Sequence, residues 1–342
     1  MDRLTTGLAV AAAAGLVLLA AGCSGNTATT TGTDTSQAGA TSRALPSPFT
    51  ITARYTAASL GLDHPDALAV GPDGNLYVTD LSQRVSVISP AGTVLRRWGK
   101  PGSGPGEFKF IAYDRTIPTD VAGQIAVGPD GNVYVTDSGN ARVQVFTPQG
   151  RFVRQFGSYG SGPGQFLQPY TLKVDNTGDV YVTDGMTETL TKFSPSGKVI
   201  WRIGGGAVTD PDLNGHLEAT SIDAHGRLVV VEDDQNRVLY IDASGHEVDV
   251  FSPSISGATA GQVCEATVDA LGNTYVSGCG PLPGCPPTGP TLVYDRAHRL
   301  IARWPGTTYS LLRSPVFGPH GEVFALAVGG TILKHHITLP GA

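Results

Sequence analysis

The sequence predicts an all-β protein built from six similar sheets, and three observations carry that expectation. The first is a duplication. VGPDGNLYVTD (Val70 to Asp80) and VGPDGNVYVTD (Val127 to Asp137) differ only at Leu76 against Val133. The second is the recurrence of the turn they contain. Val70–Gly74 is matched by Val127–Gly131, Val174–Gly178, Ile222–Gly226, Val268–Gly272 and Phe317–Gly321, at steps of 57, 47, 48, 46 and 49 residues. The third is composition: 45 Gly and 24 Pro, with little helical periodicity, imply many turns and short strands. A period near 50 residues that holds several short strands is the signature of propeller blades. The predicted fold is a six-bladed β-propeller of four-stranded antiparallel blades.

The chain starts outside that repeat. MDRLTTGLAVAAAAGLVLLAAGC has an apolar run from Gly7 to Ala21, shorter than the roughly 20 residues a membrane-spanning helix needs. It reads as a signal-peptide core, residues 1–22. Ala20-Ala21-Gly22-Cys23 resembles the bacterial lipobox, with Ala20 at the place usually held by leucine; the resemblance implies a lipidated Cys23 as the mature N-terminus. Each buried methylene of such a lipid contributes about 0.8 kcal/mol to membrane anchoring. Residues 23–47 are rich in Ser, Thr, Gly and Ala and have too little apolar surface to offset their ordering entropy, so they read as a flexible tether. Residues 48–342 are the propeller.

Within each unit a first strand of small and β-branched residues (ALAV, QIAV, TLKV) meets a turn ending in Gly. The second strand (NLYVTD, NVYVTD, DVYVTD, RLVVVED, NTYVSG, EVFALAV) is almost continuously apolar, as for a strand covered on both faces. Third strands are RVSVIS, RVQVFT, TLTKFS, RVLYID and TLVYD, and fourth strands are TVLRRWG, RFVRQFG, KVIWRIG, HEVDVFS and RLIARWP. The sixth unit runs out of chain before its fourth strand. At the other end PFTITARYTA alternates apolar and polar residues with period two. The expected closure lends this N-terminal strand to the last blade and removes the open edges.

The pattern VGPDGNLYVTD…RVSVI…GTVLRRWG followed by GSGPGEF resembles the NHL repeat, most clearly from His64 to Gly205. NHL propellers occur as extracellular sensor domains, as partner-binding modules and as amidating lyases, and looser six-bladed relatives include lactonases. The resemblance therefore implies a fold more than an activity. Amidating lyases of this fold hold zinc through histidines in a Pro-His context. Here Pro65 precedes Asp66 and Pro169 precedes Tyr170, so that motif does not carry over. His64 and His216, at equivalent repeat positions, are too few for a protein zinc site of three or four ligands, and with Asp66 and Glu218 nearby they leave a weak metal site as the alternative.

By analogy with propellers generally, the starts of first strands and the ends of second strands meet at one mouth of the central channel. First strands begin there with Asp66, Gly123, Tyr170, Glu218, Cys264 and Arg313. Six different residues at one position suggest selection for binding, so Asp66, Tyr170, Glu218 and Arg313 are the inner candidates. Second strands end in Asp80, Asp137, Asp184 and Glu232. These are ligand candidates too, set against a structural role as acceptors for backbone N–H groups. Glu232-Asp233-Asp234 reads either as a solvated loop or as a cation site. GSGPG (Gly102–Gly106 and Gly160–Gly164) lacks the Lys-Ser/Thr of a phosphate loop and reads as a repeat linker.

With Cys23 lipidated, three cysteines remain. An exported chain permits a disulfide. The short GPLPG loop favours Cys279–Cys285, while Cys264 and Cys279 would stand nearly opposite across a hairpin. The formal net charge of −6 and the lack of a basic run argue against nucleic acid as partner. The expected protein is a monomeric lipoprotein of the cell envelope, anchored to the outer side of the bacterial cytoplasmic membrane. Its propeller binds a protein, glycan or small molecule and needs no cofactor. The alternative is a lyase or lactone hydrolase using a divalent cation on the rim carboxylates.

Overall fold

Six sheets of four antiparallel strands follow one another along the chain in a computed structural model. It describes residues 49–110, 123–205, 217–232, 235–253, 263–278, 291–304, 315–319, 321–327 and 329–339. Blade 1 comprises β2 (Pro65–Val70), β3 (Leu76–Asp80), β4 (Arg84–Ile88) and β5 (Val94–Trp98). Blade 2 holds β6 (Ile125–Val127), β7 (Val133–Asp137), β8 (Arg142–Phe146) and β9 (Phe152–Phe156). Blade 3 holds β10 (Pro169–Val174), β11 (Val180–Asp184), β12 (Thr189–Phe193) and β13 (Val199–Gly204). In blade 4 these are β14 (Leu217–Ile222), β15 (Leu228–Glu232), β16 (Arg237–Ile241) and β17 (Glu247–Phe251). Blade 5 runs through β18 (Val263–Val268), β19 (Thr274–Gly278), β20 (Thr291–Tyr294) and β21 (Leu300–Trp304).

Blade 6 is closed as expected. Its strand order is β1-β24-β23-β22, so β1 (Phe49–Tyr55) stands outside β24 (Thr331–Ile337), β23 (Val323–Ala327) and β22 (Val316–Phe317). Phe49 pairs with Ile337 and Tyr55 with Ile332, antiparallel, with one register shift between Ile51 and Ala53. The single α-helical turn among the described residues, α1 (Ala57–Leu60), links β1 to blade 1; Thr56 caps it through its hydroxyl and Gly61 ends it in the left-handed conformation.

The core is divided among the junctions between blades. In blade 1, Tyr77, Val85 and Val87 face a cluster shared with Ile125 and Val133 of blade 2. Their neighbours in sequence, Leu76, Val78 and Ile88, face Phe324, Leu326 and Ile332 of blade 6. Both sides of the second strand are therefore covered, which is why it reads as an unbroken apolar run. All five residues of β3, β7, β11, β15, β19 and β23 are buried. The GSGPG links are folded units of the same core. The Gly102 N–H donates to the Phe108 carbonyl and the Phe108 N–H to that of Lys100; Gly160, Phe166 and Ser158 repeat the pattern, seating the buried Phe108 and Phe166.

The turn between first and second strands has two chemical solutions. In blades 3 and 5 the residue after the first strand is an aspartate, Asp175 or Asp269, which accepts turn N–H groups and the hydroxyl of Tyr181 (3.1 Å) or Tyr275 (3.0 Å). In blade 1 the carboxylate sits two places later, at Asp73, and still reaches the Tyr77 hydroxyl at 3.4 Å. A Cβ at Gly71 would then lie 2.7 Å from Asp73 Oδ1 and 2.8 Å from the Tyr77 ring. Glycine precedes Pro-Asp for lack of room. Burial, together with the adjacent carboxylate, pushes the Tyr77 hydroxyl up to about 12.

Candidate functional site

First strands lie innermost and touch their neighbours in ring order: β2 meets β6, β6 meets β10, β10 meets β14, and β14 meets β18. One mouth of the ring receives the starts of these strands and the ends of second strands. The other carries the Gly-ended turns.

At the first mouth Tyr170 and Glu218 occupy adjacent inner strands and are both part-exposed. Asp66 is on β2, in the blade opposite blade 4, and is buried. Cys264 is half-buried on β18. Arg313, the fourth inner candidate, lies outside the described residues, as do Asp233, Asp234 and His216. His64 stands exposed at this rim with Nδ1 2.8 Å from Asp63 Oδ1. Cys23, Cys279 and Cys285 also fall outside the described residues. His225 is on the opposite mouth.

The second-strand acids are buried, and the protein itself engages their oxygens. Asp137 accepts from the Lys109 N–H (2.7 Å), Asn140 Nδ2 (2.9 Å), Arg142 Nε (2.8 Å) and Gln144 Nε2 (3.0 Å). Four backbone N–H groups, of Leu167, Gln168, Met186 and Thr187, point at Asp184 from 2.7 to 3.0 Å. Asp80 takes the Asp63 N–H, the Ser82 N–H and hydroxyl, and Arg84 Nε. In each case the carboxylate ties the segment entering a blade to the end of that blade's second strand. The recurrent VTD is a latch, since a buried carboxylate is tolerated when charge-assisted bonds replace its hydration. Glu232, fully buried, receives Arg237 Nε at 2.8 Å. That corrects the expectation of a solvated loop at this residue. Arginine at the start of the third strand was visible in RVSV, RVQV and RVLY, and it is the signal that could have revealed these pairs.

Among the described residues no group of three His, Cys, Asp or Glu side chains could hold a metal ion. Two clefts are described, and both open on the turn mouth. One, of about 530 Å³ with its open entrance, lies between blades 4 and 5 and includes Arg227, Tyr240, Asp249, Arg296 and His298. The other lies between blades 1 and 2, along Asp73, Tyr77, Asp130 and Pro148.

Residues 122–203 match a family model described as a 6-bladed beta-propeller. The peptidyl-glycine alpha-amidating monooxygenase of Mus musculus is 35% identical over 121 residues, covering 32% of this chain and 11% of the mouse protein. Protein brain tumor of Drosophila melanogaster is 30% identical over 150 residues, covering 44% of this chain and 14% of its own length. The matched region is thus a small part of these relatives. Among solved structures, streptogramin B lyase superposes with a TM-score of 0.56 at 12% identity, over 85% of this chain and 98% of that one. A gluconolactonase of Xanthomonas campestris gives 0.55 at 14% identity, over 82% and 87%. At such identities the likeness is one of fold. Sheet order, the closing strand and these matches together make the chain a six-bladed β-propeller.

Proposed function

We propose that this chain is an envelope-anchored binding module, an NHL-type propeller that presents a ligand or partner surface at the mouth formed by the starts of its first strands. One observation carries the reading. On a scaffold whose second-strand acids are used internally, the equivalent inner positions differ from blade to blade, as Asp66, Gly123, Tyr170, Glu218 and Cys264. Varied side chains on a repeated rigid frame are the arrangement of a recognition surface. The partner class is a protein, a glycan or a small metabolite. Residues 1–22 act as the signal peptide and lipidated Cys23 as the anchor, with 23–47 as the tether. Simultaneous alanine substitution of Asp66, Tyr170, Glu218 and Arg313 should abolish capture of partners from an envelope extract while the melting transition is kept. Capture at the parental level would refute the site. Cys23→Ser should move the protein from the membrane to the soluble fraction.

The second reading is a metal-dependent lyase or lactone hydrolase, favoured by the fold shared with streptogramin B lyase and a gluconolactonase. Against it stands the engagement of Asp80, Asp137 and Asp184, which leaves these carboxylates little capacity to hold a cation. Metal analysis of the purified chain separates the readings. A stoichiometric divalent ion, lost on substitution of rim acids, would favour the enzyme.

The same proposal makes Cys264 a bridged residue, a departure from the Cys279–Cys285 pairing favoured by the short loop; its assignment as a disulfide cysteine supports this. Val263 pairs with Gly278 and Glu265 with Ser277, so Cys264 stands beside the end of β19 at Gly278, which is one residue before Cys279 in sequence. Non-reduced peptide mapping should find the Cys264 peptide crosslinked, and a Cys279–Cys285 crosslink with Cys264 free would contradict this.

A further inference from the structure

On the turn mouth one inter-blade clamp is built four times. A donor from the outer strand of one blade reaches the second carbonyl of the next blade's outer turn: Tyr55 Oη to Pro90 O (2.9 Å), Arg96 Nη1 to Pro148 O (2.6 Å), Arg154 Nη2 to Pro195 O, and Trp201 Nε1 to Ala243 O (3.0 Å). The same turns close on Gly92, Gly150, Gly197 and Gly245, with φ between +83° and +92°. Their bare Cα atoms lie against Tyr55, Trp98, Phe156 and Trp201.

Between blades 4 and 5 both halves of this device are replaced. The donor position holds Asp249, which cannot donate to the Arg296 carbonyl. The glycine position holds His298, kept at φ +57° although a left-handed backbone is unfavourable for a residue with a Cβ. The His298 ring stacks on Phe251 with centroids 4.2 Å apart and planes at 15°. Its Nε2 lies 3.5 Å from Asp249 Oδ2. Four junctions carry the clamp, and at this one the cleft described above takes its place.

We propose that this notch is a binding site for a small oxyanion, a carboxylate or a phosphoryl group, held by Arg227 and Arg296. Both guanidinium groups are oriented in advance by the protein. Arg227 Nε donates to Asp223 Oδ2 at 2.7 Å, and its guanidinium lies 4.6 Å from the centre of the Tyr240 ring. Arg296 Nε donates to the Leu271 carbonyl at 2.6 Å, its one hydrogen bond among the described residues. The outer nitrogens of Arg296 make no hydrogen bond among the described residues, whereas Arg227 Nη1 lies 4.0 Å from Asp249 Oδ2. Asp223 Oδ1 accepts the N–H groups of His225 and Arg227, and Asp249 Oδ1 accepts that of Val250. The planar fork of Arg296, fixed at Nε with its outer edge open, suits two-point contact with an oxyanion, and Arg227 adds a second positive charge. Asp249 opposes such a ligand, so it also limits affinity. The site stands on the mouth opposite the proposed partner surface and does not depend on it.

Calorimetric titration of the full chain with inorganic phosphate and, separately, with succinate tests the site. One saturable site is expected, and the tighter of the two anions identifies the ligand class. Arg296→Gln, at an exposed position, should weaken binding at least tenfold with an unchanged melting temperature. Arg96→Gln, at the clamp between blades 1 and 2, should leave binding unchanged. Asp249→Asn should tighten it by removing a negative charge. Absence of a saturable site for both anions, equal binding by Arg296→Gln, or weaker binding by Asp249→Asn would overturn the proposal.

Discussion

Two junctions of the ring are made in different ways. Blades 1 and 2 are consecutive in the chain, and the link between them packs Phe108 and Phe110 into the shared cluster, with ring centroids 4.7 Å apart. Blades 5 and 6 are held instead by a strand from the other end of the sequence. Phe49 of β1 stacks on Trp304 at 4.0 Å and meets Tyr275 edge-on at 6.2 Å. The same strand donates from Tyr55 to Pro90 of blade 1. One strand thus bridges blades 5, 6 and 1, so the ring has a single seam whose closure is not local in sequence. Closing it carries the entropic cost of joining distant chain segments, and its cluster includes a polar group with no partner. His335 is 3% exposed, neither ring nitrogen has a hydrogen-bond partner among the described residues, and Trp304 lies edge-on at 4.3 Å.

Deleting residues 48–56 should have the largest effect on this contrast. Blade 6 loses its outer strand, and cooperative melting should be lost or displaced downward by more than roughly 10 °C. A melting transition equal to the parent's would show that the seam does not need β1. Next comes a local break in blade 2. Asp137→Ala strands the buried Arg142, whose Nε lies 2.8 Å from the carboxylate, and should cost about 3–5 kcal/mol by urea denaturation. If it costs under about 1 kcal/mol, the latch role of VTD is refuted. Phe49→Ala removes the stacked ring at the seam, with an expected loss of about 2–4 kcal/mol.

The pH dependence of stability should also centre on the seam. Burial, with a smaller contribution from the Arg54 charge, pulls the His335 imidazole down from its ordinary value to about 4. The unfolded chain therefore binds this proton more readily. The stability linked to neutral His335 is complete above about pH 6.5 and declines as pH falls toward 4, by on the order of 2–3 kcal/mol. His335→Leu should flatten that slope in denaturation curves between pH 4 and 7, and an unaltered slope would assign it to other groups. The smallest effect is expected from Arg96→Ala, which removes one clamp to Pro148 at a cost of about 1 kcal/mol.

Much of the fold was legible because each blade repeats the same local constraints. The Gly-ended turns, the apolar second strands and the missing fourth strand of the last unit could be read from residues alone. The site was less so. Asp80, Asp137 and Asp184 looked alike as ligands or latches, because a carboxylate's role depends on which donors surround it. Lys109 and Leu167 reach those acids from segments 28 and 17 residues away. Glu232 looked solvated beside two further acids, yet Arg237 covers it across a strand pairing. The reversed clamp was hidden for another reason. Asp249 and His298 are unremarkable until superposed on Arg96, Arg154 and the four turn glycines.

Sequence by itself determined the number of blades, their strand order and the segment that closes the ring, because period, turn chemistry and alternation are local properties of a chain. Tertiary structure alone decided which acids are spent on the scaffold, where a lone histidine is buried, and where the repeated clamp is replaced. Those outcomes depend on partners brought from neighbouring blades, and a carboxylate or an imidazole carries no mark in the sequence of the donors it will meet.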